Sequence, residues 1–144
     1  MAKMIFVNLP VKDVAAATAF YEAIGCVKDT RFSNDVASSM QWSDTIVFML
    51  LGHAFYNSFT PKQIADTATT SEAILCLSQD SREEVDAINA KAIAAGGKQI
   101  HAPEENGFMY GGAFEDLDGH SFECMWMDMD AAAAAMGQGE VEPA

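Results

Sequence analysis

The 144-residue chain is half hydrophobic and carries a formal net charge of −13. That length and composition suit one compact domain with a sizeable core, the acidity argues against nucleic-acid binding, and no apolar run approaches the ~20 residues of a membrane span. Cys26, Cys76 and Cys124 are scattered without CxxC spacing; they read as reduced core thiols of a cytoplasmic protein, with no cleavable leader before Pro10 and Asp13.

Residues 3–11 read as a strand, with Ile5, Val7, Leu9 and Val11 on one face and Met4, Phe6, Asn8 and Pro10 on the other. Pro10 donates no hydrogen bond and belongs at a strand end or edge. Asp13 is an N-cap for a helix over 14–24, which Gly25 ends. Ala16, Phe20 and Ile24 fall on one stripe of that helix. A short strand at 27–31, a Ser33-Asn34-Asp35 turn, and strands at 36–42 and 45–51 complete a β-α-β-β-β order.

Residues 52–72 differ in composition and read as a linker, with a helical turn expected at 61–65 because Pro61 suits a first helical position. The order then repeats. A strand at 73–78 leads to a capping box, Ser81 with Glu84, opening a helix whose buried face is Val85, Ile88, Ala92 and Ala95. Gly96-Gly97 ends that helix. A strand at 98–101, a loop at 102–107, and strands at 108–115 and 120–127 follow. Asp118-Gly119 between the last two is a two-residue hairpin signal. The domain is therefore residues 1–129, as modules 3–51 and 73–129. Residues 130–144 form an alanine-rich acidic tail, expected to be disordered at its end.

Alternation in the last strand puts Ser121, Glu123, Met125 and Met127 on one face and Phe122, Cys124 and Trp126 on the other. A mid-strand carboxylate among methionines is costly unless it is paired, metal-bound or wet, which makes Glu123 the leading functional candidate, as a general base or a polar anchor. His53 continues the Val47, Met49, Leu51 face past its strand, and reads either as a surface histidine or as an acid, base or substitute ligand. Asn8 offers an amide beside Phe6. His120 lies opposite Glu123 and suits a structural role in its turn. Gly107 to Gly112 mixes glycines with aromatics, so Tyr110 could line a pocket wall. Phe6, Trp42, Met49 and Met125 are candidate apolar lining for a small organic ligand.

The words Val11-Lys12-Asp13, Phe20-Tyr21, Gly25 and Phe114-Glu115-Asp116-Leu117-Asp118-Gly119-His120, with Glu123, are similar to those of the vicinal oxygen chelate superfamily. Glyoxalase I, bleomycin-resistance proteins and extradiol dioxygenases belong to it, and this chain looks like its bacterial glyoxalase-related branch. The resemblance implies an α+β fold of two βαβββ modules whose mixed sheets curl into a funnel, and a homodimer. It also implies one divalent metal (Zn, Ni, Fe or Mn), held by His or Glu from the first and last strands of each module. Those positions fall here on Phe6, Met49, Ala73 or Ile74, and Glu123. One oxygen donor is too few for such a metal. The expected function is binding of a small organic molecule without a metal or other cofactor. The alternative is a metal-dependent lyase or isomerase resembling glyoxalase I, with Glu123 as base or ligand and His53 as the second donor.

Overall fold

In the computed structural model, which describes residues 2–138, two βαβββ units lie either side of a linker. The first unit is β1 (Ile5–Val11), α1 (Val14–Ala23), β2 (Val27–Lys28), β3 (Ala37–Gln41) and β4 (Ile46–Gly52). A four-residue helix α2 (His53–Tyr56) opens the linker. The second unit is β5 (Ile74–Ser78), α3 (Arg82–Ala94), β6 (Lys98–Asn106), β7 (Met109–Glu115) and β8 (Ser121–Met127). A last helix, α4 (Met129–Gln138), follows. The expectation for the end of the tail falls on residues 139–144, outside the described residues.

Each unit forms its own mixed four-stranded sheet, ordered β1-β4-β3-β2 and β5-β8-β7-β6. In both, the first and last strands of the unit pair in parallel and the remaining neighbours are antiparallel. The parallel pair needs a crossover, and the helix of each unit supplies it. Both helices begin as their caps dictate. The Asp13 carboxylate accepts from the Ala16 amide at 3.1 Å and the Ser81 hydroxyl from the Glu84 amide at 3.1 Å. The Glu84 carboxylate reaches back to the Asp80 amide rather than to that of Ser81. The helical turn of the linker forms at His53–Tyr56, not at Pro61, and the strand after α3 runs on to Asn106 through the expected loop, with two register irregularities against β7.

One core serves both units. Leu9, Val11, Met40, Phe48 and Leu50 of the first sheet and Leu77, Phe114, Phe122 and Cys124 of the second belong to a single buried cluster with Phe20, Tyr21, Val85, Ile88 and Ala92 of the helices. Tyr21 makes edge or tilted contacts with Phe20, Phe48 and Phe122, and Phe48 meets Phe122 edge-on at 5.6 Å. Phe114 stacks on Phe122 at 5.6 Å. Aromatic contacts of this kind add about 0.5–1.5 kcal/mol each beyond the area they bury. The helix-side faces of the two sheets are therefore committed to the interior. The opposite faces carry Phe6, Asn8, Met49, Glu123 and Met125.

Candidate functional site

On the first sheet, Phe6 and Asn8 of β1 are exposed, Met49 of β4 is half-buried, and Val47 and Leu51 beside it are covered. On the second, Glu123 sits between Cys76 of β5 and Ala113 of β7 in the strand register, with half-buried Met125 two residues on. Glu123 is exposed, so its charge stays in water. Cys76 is exposed beside it rather than a core thiol, because it shares the outward parity of Ile74; Cys26 and Cys124 are buried as expected. Partial burial, and then the charge of Glu123, push the Cys76 thiol up from its ordinary value. β1 and β5 are the unpaired edges of their sheets on this side, and both show large apolar side chains to solvent: Phe6 is 57% exposed and Ile74 60%.

Trp42 and Tyr110 do not join this group. Both pack against the buried core on the helix side of their sheets, since Trp42 shares parity with Met40 and Tyr110 is the cross-strand partner of Trp126. The Tyr110 hydroxyl donates to Asp86 of α3 at 2.6 Å, and this bond is the main reason its phenol titrates above the usual range. The Arg82 guanidinium lies over the rings of Trp126 and Tyr110 at 4.7 and 5.7 Å. These contacts dock α3 and leave Tyr110 no outward hydroxyl.

His53 lies elsewhere. It is exposed at the start of α2 and lines a cavity of about 560 Å³ at the seam between the units, with Lys12, Lys98, Asp66 and the connection from β7 to β8. That connection is not a two-residue turn. It runs over residues 116–120, with Gly119 at a φ of +84°. The side chain of Asp116, buried at 4% exposure, sets its shape. One carboxylate oxygen accepts from the Asp118 and His120 amides, each at 2.9 Å, and the other accepts from the Tyr21 hydroxyl at 2.6 Å. Burial pushes the Asp116 carboxyl up, against the pull of His120, Tyr21 and the amides. Burial, and then the Asp116 charge, push the Tyr21 phenol well above its ordinary value.

His120 is also buried, at 2% exposure. Its Nδ1 is 2.8 Å from a carboxylate oxygen of Glu72 and its Nε2 is 2.8 Å from the Pro10 carbonyl. Across the same seam, Lys12 donates its amide to Asp118 at 2.9 Å and the Thr67 hydroxyl donates to the Asp118 carbonyl. The Asp-x-Asp-Gly-His word thus ties β1, α1 and the linker to the second unit. Its turn character was legible in the sequence; Glu72 and Pro10 as partners of His120 carry no local signal, being 48 and 110 residues away.

No family model matches the chain, and no curated protein matches it. Solved structures do. A hypothetical protein from S. aureus superimposes with a TM-score of 0.75 at 25% identity, covering 88% of this chain and 94% of its own. A glyoxalase/bleomycin resistance protein/dioxygenase family enzyme from Burkholderia phytofirmans gives a TM-score of 0.75 at 21% identity, over 88% of this chain and 99% of that one. The chain has the glyoxalase/bleomycin-resistance/dioxygenase fold. A glyoxalase-related enzyme from Fulvimarina pelagi shares that fold, with a TM-score of 0.74 at 19% identity over 88% of each chain. The metal-ligand positions of the superfamily fit a metal poorly in this chain. Phe6, Met49 and Ile74 offer no hard donor, and among the described residues no group of three or more His, Cys, Asp or Glu is placed to hold an ion.

Proposed function

We propose that the protein binds a small, largely apolar organic molecule on the outward faces of its sheets, without a divalent metal. Glu123 and Asn8 supply the polar contacts, and Phe6, Met49 and Met125 supply apolar wall. The observation that carries this reading is the make-up of the two faces. Large apolar side chains stand exposed on β1 and β5, and a single carboxylate lies between Cys76 and Ala113. Few polar groups in apolar surroundings is the usual composition of a small-molecule site. The faces belong to separate sheets with free edges. A second copy pairing β1 of one chain with β5 of the other would bring them into one funnel, which makes the homodimer part of the proposal. The metal-dependent lyase or isomerase reading is weaker, because its ligand positions supply one oxygen donor and His53 lies at the seam.

A library of aromatic and aliphatic organic molecules, scored by thermal shift, tests the reading. The expected result is a stabilising ligand whose shift is lost in Glu123→Ala, from a protein that runs as a dimer by light scattering. Stoichiometric binding of Ni²⁺ or Zn²⁺, lost in Glu123→Ala, would overturn the metal-free reading.

A further inference from the structure

The binding proposal leaves the seam unused: a buried histidine, a cavity, and a linker that crosses it. Residues 64–68 of the linker form one wall of the 560 Å³ cavity, opposite Lys12, Gly96, Lys98 and residues 115–120. The linker is fastened within that wall at Thr67, through its hydroxyl on the Asp118 carbonyl, and beyond it at Glu72, through His120. Gly119 is pressed against the first fastening, since a Cβ there would stand 2.8 Å from the Thr67 hydroxyl oxygen.

The second fastening depends on a proton. The Pro10 carbonyl can only accept a hydrogen bond, and so can the Glu72 carboxylate. A neutral imidazole has one N–H and can satisfy only one of them; imidazolium has two and satisfies both. With both oxygens at 2.8 Å, the geometry is that of imidazolium. We propose that Glu72, His120 and the Pro10 carbonyl form a proton-operated clasp that holds the linker down over the seam cavity. When the ring loses its proton, one of the two bonds must go. Glu72 is the partner open to water, with its side chain 34% exposed, so the linker end is what comes free.

The surroundings favour the charged ring. The Asp116 carboxylate accepts from the His120 amide at 2.9 Å, and Glu72, Asp118, Asp66 and Glu115 outnumber Lys12, Lys98 and His53 around the seam. Burial by itself would lower the His120 value. The Asp116 charge, the Glu72 hydrogen bond and the Pro10 carbonyl outweigh it, and the net direction is up from the ordinary imidazole value. The clasp is therefore closed below that raised value and opens as pH rises through it. Above it, the loosened form grows by up to about tenfold per pH unit.

A ¹H,¹⁵N NMR titration of the full chain and of Glu72→Gln tests this. The expected ring carries protons on both nitrogens below its midpoint, and that midpoint lies above about 6.5. Amide resonances of residues 66–72 should move with that same midpoint in the wild type. In Glu72→Gln the side-chain amide can accept from or donate to the ring, so the linker should no longer follow the ring titration. A ring that carries only one nitrogen-bound proton at about pH 6, a midpoint below about 6.5, or linker amides that ignore the ring in the wild type would each overturn the clasp. So would a linker that still follows the ring in Glu72→Gln.

Discussion

In the first unit, β3 and β4 are joined by residues 42–45, where Ser43 and Asp44 face solvent and the Ser43 hydroxyl accepts from the Thr45 and Ile46 amides. In the second unit the equivalent connection, residues 116–120, has its first and last side chains buried, and these hold Tyr21, Pro10 and Glu72. The two connections occupy the same place in a repeated order. One closes a hairpin and keeps its contacts within the first unit's own strands and core, the Thr45 carbonyl accepting from the Ile5 amide and Trp42 packing inward; the other fastens three separate parts of the chain. A repeat of elements thus fixes the strand order of each sheet, while the polar fastening between the units comes from this connection in one copy only, beside the aromatic core that both units share.

Substitution in both turns should separate these jobs. Asp116→Ala leaves the buried Tyr21 hydroxyl and two amides without an acceptor, at about 1–3 kcal/mol per group. Urea unfolding should show a loss of about 3 kcal/mol or more. If Asp116→Ala costs no more than Ser43→Ala, whose exposed turn should lose under about 1 kcal/mol, the contrast fails. Gly119→Ala should come next. A positive φ costs an L-residue about 1–2 kcal/mol, and the added methyl meets Thr67, so the linker should also become more sensitive to protease.

The pH dependence sharpens the contrast further, with a smaller effect. His120 is held above its unfolded value. Its contribution to stability is then complete below about 6.5 and is lost as pH rises through the raised folded value. Urea midpoints should fall across that window in the wild type and flatten in Glu72→Gln. A wild-type profile that rises over the same range would contradict the assignment.

The alternation of Phe122, Cys124 and Trp126 against Glu123 and Met125, and the capped starts of α1 and α3, made both units legible in the sequence, because these signals are local. Two residues expected to line the pocket, Trp42 and Tyr110, instead pack on the helix side. Trp42 and Tyr110 are as bulky and amphipathic as a pocket wall requires, but their strand positions put them under the helices. Cys76 was expected inside and lies outside, because it alternates onto the same exposed side of β5 as Ile74. The seam was hidden for a different reason. Its hydrogen bonds join residues 48 to 110 positions apart, a distance at which neither periodicity nor turn chemistry carries information.

The aromatic ladder belongs to neither half of the molecule. Tyr21 and Phe48 come from the first unit, Phe114 and Phe122 from the second, and each ring is covered by one from across the divide. A chain nicked in the exposed stretch around Ser58 and Pro61 would therefore hold together as one particle, its pieces joined by these rings and by the bonds of Asp116, Asp118 and His120 to Tyr21, Lys12 and Pro10. Either piece made separately would present a bare aromatic wall to water, and its nearest cure is the missing piece.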